Sequence, residues 1–225
     1  MSKNFAFHNG KKLLEHCAEY KMPIWEVMLN YEIQMSGKPE EEIYEMLHTR
    51  LQVIFDAVQA AIDKPEMSPS GMVGKSTPIL AKAFAEYDKT GGELLLNKSA
   101  IAAMLGAVAT GENNARMGVI LAFPTAGAAG VLPGVIYGAR ERFGLNKEQM
   151  VQMMLTASAI GIVIANTATL SGAAGGCQAE VGSASAMAAA SFNILISESV
   201  LIKRNFSISP DTGTSSASTP LSKVL

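Results

Sequence analysis

The sequence predicts an all-α fold, a compact helical domain with glycine-rich loops and buried alanine-rich helices. Apolar residues recur at helical spacing along most of the chain, and short apolar runs such as residues 119–123 could be extended without supporting a sheet. With 225 residues and 48% hydrophobic content, the chain can bury a sizeable core, and one domain is the default expectation.

The individual helices follow from this periodicity and from start signals. Pro23 and Pro39 lie where prolines favour a helix start, Asn146 is a candidate N-cap, and acids open the helix at residue 40. The predicted helical ranges are 11–20, 24–35, 40–62, 78–87, 97–110, a helix that starts at residue 147, and 177–190. Turn-rich residues 63–71 are the best candidate for an internal boundary.

Composition excludes several classes of protein. A formal net charge of -2 with 17% charged residues gives no electrostatic footprint for nucleic acid. The two cysteines do not suggest a disulfide framework, and residues 1–12 lack the apolar core of a signal peptide. We therefore expect a cytoplasmic location.

Two long uncharged stretches, residues 117–139 and 149–179, meet the length criterion for a transmembrane helix. Pro124 and Pro133 interrupt the first, and amides and hydroxyls such as Asn166 interrupt the second. Such groups need internal partners in lipid, and alanine takes the place of leucine here. The pattern favours helices buried inside a protein, so we expect no membrane segment.

Cys177 lies between a glycine-rich turn and an alanine-rich helix. Gly175 and Gly176 permit left-handed backbone angles and leave the approach to the sulfur open. The amides of the first helical turn would favour a thiolate, the form that binds metals. Glu180 shares a helical face with Cys177 and could be a proton acceptor, a partner of the sulfur site or a first-turn acid. The alternative for Cys177 is a small buried core residue.

Three blocks of sequence carry a resemblance to a known family. They are ENNARMG at residues 112–118, AFPTAGAAGVLPG at residues 122–134 and SGAAGGCQAEVGSASAMAAA at residues 171–190. In residue identity, order and spacing they resemble the alpha part of iron-sulfur-dependent L-serine dehydratases, also called L-serine ammonia-lyases. The resemblance extends over residues 10–192.

The resemblance implies β-elimination of L-serine to pyruvate and ammonium, a reaction of amino-acid catabolism that supplies gluconeogenesis. In such enzymes a [4Fe-4S] cluster held by three cysteines keeps one iron open as a Lewis acid, while a base removes the Cα proton. The resemblance makes Cys177 one cluster ligand and implies a separate beta subunit or a homo-oligomer. The base stays unidentified, with Glu180 as a candidate.

Polar residues in and beside the glycine-rich blocks are candidates for binding L-serine. They are Asn113, Thr125, Asn166 and Ser171. In apolar surroundings an unpaired group of this kind costs about 1–3 kcal/mol, so each is expected to have a partner. The alternative is that they cap helices or satisfy buried carbonyls without any ligand.

The sequence departs from the family after residue 192. The two further cluster cysteines of the family, in CDPVAG and VPC.KRN segments, are absent, and Leu201 stands at the place of the last one. Cys17 has no counterpart among the ligands and is expected to be a core or half-buried thiol. We expect a serine dehydratase alpha-type domain over residues 1–192, incomplete at its C-terminal end, and an atypical, partly disordered tail over 193–225. The alternative function is a catalytically inactive remnant that folds or oligomerises without a cluster.

Gly74-Lys75-Ser76-Thr77 ends like a phosphate-binding loop, but Pro69 stands where that motif requires its first glycine. We therefore reject a nucleotide site. For Lys75 and Ser76 the alternatives are a contact with the substrate or a place in a solvated loop without a ligand.

Overall fold

A computed structural model of the chain describes residues 3–63, 74–90 and 96–206. Within these ranges no strand occurs, and the predicted all-α fold is confirmed. The helices are α1 (Gly10–Tyr20), α2 (Ile24–Ser36), α3 (Glu40–Asp63), α4 (Ser76–Thr90), α5 (Lys98–Ala115), α6 (Val131–Phe143), α7 (Lys147–Thr167), α8 (Gly172–Gly175) and α9 (Cys177–Phe206), with a 3-10 turn at Ala126–Ala128.

The chain divides into two units, Met1–Ile194 and Leu195–Leu225. The first unit contains helices α1–α8 and the start of α9, and the described part of the second is the end of α9. Most of the predicted boundary segment, from residue 64, and the tail from residue 207 lie outside the described residues. The predicted domain limits, 1–192 and 193–225, stay a prediction.

The N-terminal core forms where α1, α2 and α3 meet α7. Its buried members are Phe5, Phe7, Leu13, Val27, Met28, Leu29, Ile43, Val151, Leu155 and Ala159. Along α3 the apolar positions Ile43, Leu51 and Ile54 are each at most 1% exposed. Because burying such a side chain contributes about 1.5–3 kcal/mol, the helical spacing seen in the sequence accounts for the docking of α3.

Helix α7 begins with the predicted cap. The side chain of Asn146 accepts the amide of Gln149 at 2.9 Å, and the side chain of Gln149 accepts the amide of Asn146 at 3.1 Å. By length and composition α7 could cross a membrane, yet more than half of its apolar stretch is buried inside the protein. Met153 and Met154 are fully buried there, which is typical of a core helix.

Helices α5 and α6 pack closely through small residues. Gly130, Gly134 and Gly138 recur at every fourth position and face α5. A Cβ at Gly134 would lie 2.6 Å from the carbonyl oxygen of Ala103, and one at Gly138 would lie 2.6 Å from that of Ser99. The sequence pattern does not predict α6, because its proline and glycines are typical of loops and only packing against α5 favours the helix.

Three predicted helix limits were too short. Helix α4 begins at Ser76 rather than residue 78, α5 continues to Ala115 rather than 110, and α9 continues to Phe206 rather than 190. The carboxylate of Glu112 caps the start of α4, which accounts for its earlier beginning. In α5 the extension beyond residue 110 contains one glycine, Gly111, which the helix tolerates. In α9 no glycine or proline interrupts the sequence between residue 190 and Pro210.

Candidate functional site

Cys177 is the first residue of α9, as predicted, and it is exposed. Gly176 precedes it with a φ of 74°, in the left-handed region that favours glycine. Gly175 instead ends α8 without a positive φ, so of the two glycines that permit left-handed angles Gly176 is the one that adopts them. The thiol projects from a helix start, and neither of the two preceding residues has a side chain to cover it.

The Glu180 carboxylate connects the two glycine-rich loops. A Cβ built on Gly127 would lie 2.7 Å from Oε2 of Glu180, and one built on Gly172 would lie 2.8 Å from the same oxygen. Gly127 belongs to the 3-10 turn before α6, and Gly172 opens α8. Two blocks that are distant in sequence therefore meet at one side chain, a single helical turn from Cys177.

Glu180 lies in the first turn of α9, as the first-turn-acid alternative requires, but its carboxylate does not cap the helix. The amide of Gly176, which a capping-box acid would bind, donates instead to the carbonyl of Gly172 at 2.9 Å. The amide of Ala179 donates to the carbonyl of Gly176 at 3.0 Å. In the part of the chain that the structure describes, no hydrogen-bond or ion-pair partner of the Glu180 carboxylate is found.

Thr125 lies in the loop that contacts Glu180. It precedes the 3-10 turn in an extended conformation, two residues before Gly127. Its Oγ1 is buried and has no hydrogen-bond partner among the described residues. The expectation that it caps a helix or satisfies a carbonyl is therefore wrong, and the buried hydroxyl carries an uncompensated cost of about 1–3 kcal/mol. A contact with substrate stays a prediction.

Asn113 shapes the turn that follows α5. Its Nδ2 donates to the backbone carbonyl of Val119 at 2.7 Å, and its backbone carbonyl accepts a hydrogen bond from the amide of Gly118 at 2.8 Å. A Cβ at Gly118 would lie 2.1 Å from Oδ1 of Asn113, so a larger residue there would displace the Asn113 side chain. Asn113 thus satisfies a backbone carbonyl, as one of the two predicted alternatives requires, and its substrate role stays a prediction.

Asn166 and Ser171 are exposed, so the apolar surroundings expected for them were wrong. Asn166 Nδ2 donates to the carbonyl of Ile162 at 2.8 Å, and Ser171 occupies the N-cap position of α8 without a side-chain cap bond. Both lie where α7 ends and α8 begins, within reach of water, so burial imposes no demand for a ligand. Their contact with substrate stays a prediction.

Glu112 is a buried acid that the sequence pattern did not single out. Its side chain is 1% exposed, and Oε1 accepts the amides of Ser76 at 2.6 Å and Thr77 at 3.1 Å. These are the first amides of α4, where a phosphate or other anion would otherwise bind. The carboxylate therefore already occupies the amides that a phosphate loop would need, and only its place on the buried face of α5 could have indicated this.

Replacing Glu112 with alanine is expected to lower the free energy of unfolding by about 3 kcal/mol, because the part-buried amide of Ser76 and the buried amide of Thr77 lose a charged acceptor. Glu112→Gln keeps an acceptor oxygen and is expected to lose less than half as much. Urea denaturation of the two variants measures the difference. Equal stability of wild type and Glu112→Ala would contradict the capping role.

The thiols do not complete a metal site. Across the described ranges no three His, Cys, Asp or Glu side chains converge to hold a metal ion. Cys17 on α1 is half-buried against the N-terminal core, as predicted, and burial raises the pKa of its thiol. The sequence contains two cysteines, whereas a cubane with one open iron needs three protein ligands, so these residues do not fit a complete [4Fe-4S] cluster.

The fold and site define an all-α protein in which two glycine-rich loops meet at a carboxylate beside an exposed cysteine. A family model described as serine dehydratase alpha chain matches residues 19–201. The chain therefore belongs to the serine dehydratase alpha chain family, and the resemblance seen in the sequence is confirmed.

Three relatives show the extent of the similarity. The probable L-serine dehydratase alpha chain of Bacillus subtilis is 42% identical over 184 residues, covering 82% of this chain and 59% of the relative. The alpha chain of L-serine dehydratase from Peptoniphilus asaccharolyticus is 36% identical over 183 residues, with 81% and 61% covered. L-serine dehydratase of Helicobacter pylori is 30% identical over 188 residues, with 82% and 40% covered. The chain spans less than two thirds of the length of these relatives.

Proposed function

We propose that the chain is the alpha component of an L-serine dehydratase, which converts L-serine to pyruvate and ammonium by β-elimination in the cytoplasm. The observation that carries the proposal is the meeting of the two glycine-rich loops at Glu180, one turn from the exposed Cys177. The names of its relatives, which are L-serine dehydratases and their alpha chains, support this substrate and reaction.

Cys177 is, on this proposal, one thiolate ligand of an iron-sulfur cluster. Its exposure and the bare glycine approach support the role. Cys17 packs against the N-terminal core and is no candidate for a second ligand. The remaining ligands therefore come from residues that this sequence does not contain, such as those of a beta subunit.

The other residues of the site bind and position the substrate. Thr125 contributes a hydroxyl that has no partner among the described residues, in the loop that contacts Glu180. Asn113 fixes the turn that leads into this loop. Asn166 and Ser171 supply further hydrogen-bonding groups at the junction of α7 and α8.

A second candidate function is a catalytically inactive helical domain that folds or oligomerises without a cluster. The observation that favours it is the cysteine content, because two thiols in separate surroundings cannot hold a cubane. The fold alone does not distinguish the two functions, since neither the core nor the helix caps depend on a cluster.

Iron and sulfide content after anaerobic reconstitution distinguishes the two candidates. The chain is reconstituted alone and together with its beta chain, and pyruvate released from L-serine is measured in the same samples. The enzyme proposal expects about four irons per alpha chain in the complex, with pyruvate formed. The inactive-domain alternative expects no stoichiometric iron and no pyruvate in either sample.

A further inference from the structure

We propose that the Glu180 carboxylate binds the α-ammonium group of an amino-acid substrate in the space between the two glycine-rich loops. The inference deepens the proposed function and rests on it for the identity of the amino acid, L-serine. It gives Glu180 a role in holding the substrate, distinct from the roles of proton acceptor, partner of the sulfur site and first-turn acid that the sequence suggests.

The first argument is that the Glu180 carboxylate is short of partners. The side chain is half-buried, yet no residue in the described ranges donates a hydrogen bond to it or forms an ion pair with it. Neither carboxylate oxygen is fully enclosed by protein, so a ligand could reach the group from solvent. Partial removal of an anion from water is costly unless a donor or a cation compensates it, so a cationic ligand would supply the missing partner.

The second argument is the position of the carboxylate, which occupies the room that the missing side chains of Gly127 and Gly172 leave. Oε2 lies against both loops, at 2.7 Å from the Cβ position of Gly127 and 2.8 Å from that of Gly172. Oε1 lies farther away, at 3.3 Å and 3.4 Å from the same two positions. An alanine at either glycine would push the carboxylate out of this place. Oε2 is therefore seated by the loops, and Oε1 is the oxygen left for a ligand.

The third argument concerns the class of the ligand. A primary ammonium carries a positive charge and several N–H donors, so it would compensate both the charge and the free acceptor sites of the carboxylate. A metal ion would need several ligating side chains, and no three converge in the part of the chain that the structure describes. An α-ammonium held by Glu180 would place the amino acid one helical turn from Cys177.

Binding of L-serine to the full chain tests the assignment. Isothermal titration calorimetry compares wild type, Glu180→Gln and Glu148→Gln, with L-glycerate as the analogue that has a hydroxyl in place of the ammonium. Glu148 is the matched control, because it is also an acid in the first turn of a helix but lies on α7 away from the glycine-rich loops. We expect Glu180→Gln to weaken L-serine binding at least about tenfold and to reduce the preference for L-serine over L-glycerate by a similar factor, while Glu148→Gln changes neither.

Three results would overturn the assignment: no binding of L-serine to the wild type, equal L-serine affinity of wild type and Glu180→Gln, or loss of iron in the Glu180→Gln complex. The last would assign Glu180 to the metal site instead. Thermal melting of the variants separates an effect on binding from unfolding. Pyruvate release by the wild-type complex is scored separately, so failure of the proposed reaction is distinguishable from failure of this contact.

Discussion

Cys177→Ser is expected to abolish iron binding and pyruvate formation by the complex without unfolding the chain. Cys177 is exposed at the start of α9, so exchanging sulfur for oxygen removes no buried contact. Residues that merely orient the ligands of a metal cost about 10–100-fold in affinity or activity when mutated, and loss of a ligand is expected to cost at least about 100-fold. Iron content and a coupled pyruvate assay measure both effects.

Cys17→Ser is the matched control for this prediction. Cys17 is half-buried against the N-terminal core, where a hydroxyl packs less well, so a small loss of stability is expected. Iron content and pyruvate release should stay at the wild-type level. Retention of iron in Cys177→Ser, or its loss in Cys17→Ser, would show that the wrong thiol has been assigned to the cluster.

Gly134→Ala is expected to destabilise the protein by about 2 kcal/mol, although alanine is the better helix former by about 1 kcal/mol. The new Cβ would lie 2.6 Å from the carbonyl oxygen of Ala103 and 2.9 Å from both the amide nitrogen and the Cβ of Ala107. These are backbone atoms and a Cβ, which cannot rotate away, so α5 and α6 have to separate. The cost of overpacking therefore exceeds the gain in helix propensity.

Gly111→Ala, on helix α5, is expected to have the opposite effect on stability. Gly111 lies within α5, is exposed, and a Cβ there would meet nothing within 4 Å. Propensity then acts alone, and the substitution is expected to stabilise by about 0.5–1 kcal/mol. Chemical denaturation measures both variants. If Gly134→Ala were as stable as Gly111→Ala, the close packing of α5 on α6 would be contradicted.

Local signals explain which parts of the fold are predictable from the sequence. Asn146 with Gln149 three residues later marks the start of α7, and Gly176 marks the start of α9 at Cys177. Helix α6 carries no such signal, because Gly134 reads locally as a loop residue. Helix α6 forms because α5 has small residues at the positions that face its glycines. That information lies in the sequence of α5, so the sequence of α6 alone does not predict the helix.

The site shows the same division between local and distant causes. The exposed thiol at a helix start follows from neighbouring residues, and the sequence predicts it. Glu112 accepts amides from residues that lie 36 and 35 positions earlier, and Glu180 reaches Gly127 on another loop. Such pairs depend on how the helices pack. The sequence therefore identifies Glu180 as a candidate without the loop that it contacts, and it does not identify Glu112.

Pyruvate release from L-serine by the chain, assembled anaerobically with the beta chain that the proposal requires, tests the central claim most directly. The account predicts pyruvate formation that depends on both chains and disappears when Cys177 is replaced by serine. A complex that contains its full complement of iron and forms no pyruvate from L-serine would contradict it, as would turnover that is unchanged in Cys177→Ser.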